Sequence, residues 1–181
     1  MSAAAANIEN LKLEERGFAV LKLWVEETER EKYAAHILKH NLAILNDAHP
    51  NSGFDLFVAD DVVFSNNESK LVNHRVKGAM YVYKSYGDLA PAAFYLYPRS
   101  SIYKTPFVLA NSVGVIDSGY RGFICSAIRY MSDIEYTLEK DTRITQICHP
   151  SLCPIFVDLV ENESDLGETT RGEGGFGSTG V

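Results

Sequence analysis

Cysteine is scarce in this 181-residue chain, and the three present, Cys125, Cys148 and Cys153, form no CxxC pair. An odd number without paired spacing excludes a disulfide framework and fits a reducing compartment. Cys148-His149 with Cys153 matches no usual zinc-ligand spacing, so these read as side chains of a buried strand and its turn. No apolar run approaches the ~20 residues that span a bilayer. The start, MSAAAANIEN, lacks the basic region and apolar core of a secretory signal and reads as a short flexible leader. An intracellular protein, cytoplasmic or nuclear, is expected. Excess positive charge is missing too: 17 Lys and Arg stand against 24 Asp and Glu, a net charge of −7. That argues against nucleic-acid binding through a broad basic surface. Any phosphate must then be met locally, by a few placed arginines and backbone N–H groups.

The aromatic side chains, 10 Tyr and 9 Phe, lean towards β structure, and the length fits one domain with a real core. Alternation in residues 18–25 (FAVLKLWV) predicts a first strand with Phe18, Val20 and Leu23 inward. In residues 26–45, Ala34, Ile37, Leu38, Leu42 and Leu45 recur at helical spacing behind a run of acids. They predict one helix over about 28–45. Such a helix most often packs over a sheet edge, and a partner-binding face is the alternative. Residues 70–83 read as one long strand or two that pivot at Gly78, and residues 131–141 as a loop. With further runs at 54–57, 92–97, 143–148 and 155–160, about ten short strands predict an all-β sandwich or barrel over residues 1–160. Composition shifts at residue 161. Five glycines between Gly172 and Gly180, with few apolar side chains, predict a mobile arm and no core element.

Three segments carry chemistry. Residues 110–124 (ANSVGVIDSGYRGFI) hold two β-prone runs around Ser118-Gly119, which predicts a hairpin with one carboxylate, Asp117, and one ring, Tyr120, near its bend. Arg99, Ser100 and Ser101 follow a strand and a proline, where a helical turn can begin; two hydroxyls and a guanidinium there suit an anion. In the arm, Arg171 offers a bidentate fork, the glycines admit close backbone approach, Ser178 and Thr179 add hydroxyls, and Phe176 adds one flat surface. That mixture suits a ligand with a polyphosphate and a planar ring.

In chain order, NSGFDL (51–56), PRSS (98–101), ANSVGVIDSGYRG (110–122), RITQ (143–146) and RGEGGFGSTG (171–180) resemble the five motifs of the trimeric deoxyuridine triphosphatases, the dUTPases. The forms found in bacteria and large DNA viruses are the most similar. The resemblance implies an all-β, jelly-roll-like barrel of the β-clip kind, assembled as a homotrimer whose active sites each take motifs from three subunits. It implies hydrolysis of dUTP to dUMP and pyrophosphate with Mg²⁺, which keeps uracil out of DNA and supplies dUMP for dTMP synthesis. Asp117 would be the general base. Tyr120 would lie against the deoxyribose, and Asn111 with Gly114, Val115, Ile116 and Cys125 would read the uracil edge. Arg99, Ser100, Ser101 and Gln146 would hold the phosphate chain. Arg171, Gly177, Ser178 and Thr179 would clamp the γ-phosphate while Phe176 stacks over the uracil. Mg²⁺ would be held mainly by the triphosphate and water, with Asp55 behind it. The sequence departs from the family pattern at Gly119, where many members have Asp, and at Ser101, often Gly. Lys140-Asp141-Thr142 precedes RITQ, and residues 26–47 and the 130s exceed the usual connections. The alternatives are a dUTPase-derived regulatory or partner-binding protein and a dCTP deaminase-like enzyme, which would not carry the RGEGGFGSTG arm.

Overall fold

Alternating burial in AVLKLWV builds β1 (Ala19–Val25), whose odd-numbered residues Ala19, Leu21, Leu23 and Val25 enter the main core. The computed structural model describes residues 17–83 and 89–175. Val20 takes the opposite face and packs with Phe18, Ile44 and Phe156 in a small satellite cluster.

A single long helix, α1 (Glu27–Asn46), follows, with Glu27 and Glu29 in the first turn where the helix dipole favours acids. Its apolar stripe does not face inward as expected. Tyr33, Ile37 and Ile44 are buried, whereas Leu38 (62 % exposed), Leu42 and Leu45 face out. The cause is β13 (Ile155–Leu159), an edge strand whose outer backbone groups need partners. Asn41 meets them, donating to the Val157 carbonyl at 2.9 Å and accepting from the Val157 N–H at 3.0 Å; His40 Nε2 reaches the Ile155 carbonyl at 2.8 Å. Polar residues thus take the inward face, and the helix covers the edge.

β13 runs parallel to β1, which pairs antiparallel with β5 (Val76–Tyr83), and β5 with β6 (Leu89–Ala92). A second four-stranded sheet has the order β2 (Gly53–Leu56), β12 (Thr145–Cys148), β7 (Phe94–Pro98) and β9 (Gly114–Ile116). The main core includes inward side chains of both sheets, among them Leu21, Leu23, Phe54 and Leu96. A three-stranded sheet, β4 (Ser69–Asn73), β10 (Cys125–Tyr130) and β8 (Phe107–Leu109), encloses a second core around Phe64, Phe107 and Tyr130. The architecture is all-β with one helix, as expected; the ladders among the described residues form four sheets, none of which closes on itself. Among the described residues no helix is long and apolar enough to cross a membrane.

Four expectations need correction. The pivot between β4 and β5 lies at Arg75 (φ +54°), not at Gly78: the Arg75 N–H donates to the Asn73 side chain at 2.8 Å, a local turn that breaks the strand. The 130s are not all loop, since β11 (Tyr136–Leu138) pairs with β3 (Val62–Phe64) and buries Leu138. The arm does contribute to a core: Leu166, 1 % exposed, packs with Ala79 and Val160 after a 3-10 turn at Glu163–Leu166. The hairpin around Ser118-Gly119 is absent as well. β9 pairs with β7, and β10 pairs with β4 and β8, so the two runs enter different sheets.

Candidate active site

That divergence opens a slot. A turn closed by the Tyr120 N–H and the Asp117 carbonyl (3.0 Å) separates β9 from β10. Between them lies a pocket of about 160 Å³, lined by Asn111, Gly114, Val115, Ile116, Asp117, Tyr120, Phe123, Cys125, Arg171 and Gly175. Among the described residues β9 is the last strand of its sheet, so its outer backbone edge has no ladder partner there. Gly114 sits close against β7: a Cβ there would meet Leu96 Cβ at 3.1 Å, a tight contact. The Tyr120 ring folds back over Gly122, and its hydroxyl donates to the Phe123 carbonyl at 2.9 Å, which fixes the ring at the mouth of the slot. Burial, foremost, pushes the Tyr120 pKa up and keeps the phenol neutral.

The arm lies against the same turn. The Arg121 N–H donates to the Gly172 carbonyl at 2.8 Å, and its guanidinium Nε bridges the carbonyls of Leu166 (3.1 Å) and Gly167 (2.9 Å). Thr169 donates to the Gly119 carbonyl, and Arg171 is ion-paired with Asp117, both side chains about half exposed. Lys77 holds the arm from beneath. It is 4 % exposed, pairs with Glu163 at 2.6 Å and with Glu173, and lies 4.8 Å from the Phe123 ring centroid. Burial works against its charge, but the hydrogen bonds to Glu163 and Glu173 outweigh burial and raise its pKa. Sequence reading passed over Lys77, although a lone cation inside the apolar run VKGAMYVY was a visible signal.

A separate, larger cleft of about 760 Å³ opens over the second sheet. Register builds it: Gln146 stands opposite Asp55 on one side and Tyr97 on the other. Asp55 accepts from Arg99 Nε at 2.8 Å and from Arg143 Nη1 at 3.3 Å; Arg99 also donates to the Arg143 carbonyl at 2.9 Å. The Gln146 amide donates to the Pro98 carbonyl at 3.2 Å and lies over Gly53, where a Cβ would meet its oxygen at 2.0 Å. Ser100 lines the cleft at the start of a 3-10 turn, Ser100–Lys104; Ser101 lines neither pocket. Three cations, Lys39, Arg99 and Arg143, face one carboxylate, Asp55, so the cleft is suited to an anion. Arg143 had no assigned role in the sequence reading, and its place beside Asp55 follows only from the pairing of β12 with β2.

The expected residues therefore fall into two groups. Asp55, Arg99, Ser100 and Gln146 line the cleft, whereas Asn111, Gly114, Val115, Ile116, Asp117, Tyr120, Cys125 and Arg171 line the slot, and no residue lines both. Phe176, Gly177, Ser178 and Thr179 lie outside the described residues.

Fold and pockets define an all-β protein with an anion cleft on one sheet and a carboxylate-bearing slot at that sheet's edge strand. A family model described as dUTPase matches residues 41–180. A deoxyuridine 5'-triphosphate nucleotidohydrolase of Clostridium novyi (strain NT) is 33 % identical over 132 residues, 72 % of this chain and 85 % of that protein. One from Rhizobium leguminosarum bv. trifolii (strain WSM2304) is 39 % identical over 85 residues, 46 % of this chain and 53 % of its own length. The crystal structure of a dUTPase from Streptococcus mutans is 30 % identical, with 65 % of this chain and 86 % of that chain covered and a TM-score of 0.45. The chain belongs to the dUTPase family.

Proposed function

We propose that this chain hydrolyses dUTP to dUMP and pyrophosphate, keeping uracil out of DNA and supplying dUMP for dTMP synthesis. Asp117 takes a proton from water as the water oxygen bonds to the α-phosphorus in line. The bond from the α-phosphorus to the bridging oxygen breaks, and pyrophosphate leaves. The observation that carries the reading is the open slot between β9 and β10, which gathers a carboxylate, a ring and a free backbone edge. Unpaired N–H and C=O groups of β9 read a planar base as they would pair with a strand. A base with the wrong donor order leaves buried groups unpaired, and in so small a slot a thymine methyl has no room. Tyr120 lies against the deoxyribose and excludes a 2′-hydroxyl.

The phosphate chain is held by Arg99, Ser100 and Gln146, which line the cleft, and by Ser101, the next residue of the same 3-10 turn. As the family resemblance implies, the two halves of one working site belong to different copies of the chain in a homotrimer; that cleft and slot share no lining residue is compatible with this. Arg171, Gly177, Ser178 and Thr179 close on the γ-phosphate, with Phe176 over the uracil. Arg171 leaves Asp117 for the phosphate as it does so, which frees the base.

Among the described residues no group of three or more His, Cys, Asp or Glu side chains is placed to hold a metal ion, and Asp55 is engaged by two guanidinium groups. Mg²⁺ would be ligated mainly by phosphate oxygens and water, with Asp55 behind them. Bound there, the ion supplies charge neutralisation on the phosphates. The test is pyrophosphate release from dUTP, dCTP, UTP and dTTP with Mg²⁺. Turnover confined to dUTP supports the reading; no turnover of any of the four overturns it.

A further inference from the structure

One wall of the cleft comes from an element that the family match mostly leaves out. The match begins at residue 41, and α1 begins at Glu27. From α1, His36, Lys39, His40 and Ala43 line the cleft, a spacing of i, i+3, i+4 and i+7 that puts them in one stripe. This stripe carries a cation and two imidazoles. His40 is committed to the Ile155 carbonyl. Lys39 is exposed and makes no ion pair among the described residues. His36 packs its ring 4.8 Å from that of Phe54 and 5.0 Å from that of Phe57. Its Nε2 is the buried side-chain polar atom left without a hydrogen-bond partner among the described residues. A buried ring nitrogen without a partner is costly, and a ligand atom that pairs with it recovers that cost.

Arg99 and Arg143 share Asp55, which sets their orientation and offsets part of their charge. Lys39, which lines the same cleft, has no ion-pair partner among the described residues.

We propose that α1 adds an anion subsite to this cleft, in which Lys39 and His36 hold the end of a polyphosphate chain, the part that leaves as pyrophosphate. The identity of that leaving group rests on the dUTP reading above; the subsite itself rests on the cleft. Lys39 Nζ donates to a terminal phosphate oxygen. Burial, foremost, lowers the His36 pKa, while the charge and backbone of Asp55 work against it; with a proton on Nε2 the ring donates to the same phosphate group. The subsite makes the protein hold pyrophosphate more tightly than the motif residues alone would, and favours triphosphates over monophosphates.

Calorimetric titration of the full chain with inorganic pyrophosphate, and separately with dUMP, in Mg²⁺ buffer tests this. Lys39→Ala is expected to weaken pyrophosphate about tenfold, in line with loss of one charge-assisted contact, and to leave dUMP unchanged. Lys39→Arg restores most of the affinity. His36→Phe, which keeps the ring packing on Phe54 and Phe57, weakens pyrophosphate severalfold. Equal pyrophosphate affinity in the wild type and Lys39→Ala overturns the proposal, as does equal weakening of dUMP or no pyrophosphate binding by the wild type. A chain that binds pyrophosphate through Lys39 but turns over no dUTP supports the subsite and removes the enzymatic reading.

Discussion

The cleft over β2, β12 and β7 and the slot beside β9 are held by different kinds of force. In the cleft, strand register sets Gln146 opposite Asp55, and Asp55 locks two arginines before any ligand arrives. The slot is wrapped by the chain's own arm through half-exposed contacts such as Arg171–Asp117. Exposed ion pairs contribute only about 0–1 kcal/mol each, so Arg171 can exchange partners, whereas the placement of Gln146 opposite Asp55 is fixed by the ladder between β12 and β2. The rigid region is built to bind charge, and the loosely covered region holds the group that would do the chemistry.

The sharpest way to separate the two is Asp117→Asn. Loss of a general base should lower kcat by about 10²–10⁴-fold, while pyrophosphate binding in the cleft stays at the wild-type value. A fully active variant would show that Asp117 is not the base. Within the arm, Leu166→Ala should cost about 2–4 kcal/mol of stability through the cavity it leaves, read as a lowered Tm. Truncation before Arg171 should leave Tm nearly unchanged and abolish turnover. Equal Tm losses would mean the arm is one structural unit.

Acid should loosen both regions together through His74, which is fully buried. His74 Nδ1 meets the Phe57 carbonyl at 2.8 Å, Nε2 meets Ser126 on β10 at 2.6 Å, and Ser126 donates to Thr145 on β12 at 3.0 Å. The network thus joins the strand after the slot to the strand beneath the cleft. Burial lowers the His74 pKa to about 4 from 6.5. The unfolded chain therefore binds more protons between these values, so its contribution is complete above pH 6.5 and is lost as pH falls towards 4. The shift corresponds to about 3 kcal/mol. Denaturant titrations from pH 7 to pH 4 check it, and His74→Gln should flatten that part of the profile. The smallest effect is expected for Lys77→Met. Releasing Glu163 and Glu173 should raise KM for dUTP severalfold with little change in kcat, and Lys77→Arg should recover it.

Much of the candidate site was legible in the sequence because its chemistry sits in short contiguous runs: RSS, GVIDSGY and RGEGG each keep their neighbours in space. The helix was legible from periodicity, with a boundary error of one residue at each end. Its orientation was not, because Asn41 and His40 face inward to serve the edge of β13, a demand that arises only once β13 pairs with β1. The hairpin failed for a related reason. Turn chemistry at Ser118-Gly119 describes the bend, but which strands pair afterwards depends on β7 and β4, far away in the chain. Arg143, Lys39 and His36 were hidden in the same way, since long-range packing alone brings them to one cleft.

One working site is proposed to combine the slot of one copy with the cleft of another. Asp117→Asn chains keep a sound cleft, and Arg99→Ala chains keep a sound slot; each should be inactive alone. Co-expressed in equal amount, they should regain dUTP turnover at about a quarter of the sites, the share set by random assortment of two copies. No recovery in mixed assemblies would contradict the account and return both pockets to a single chain.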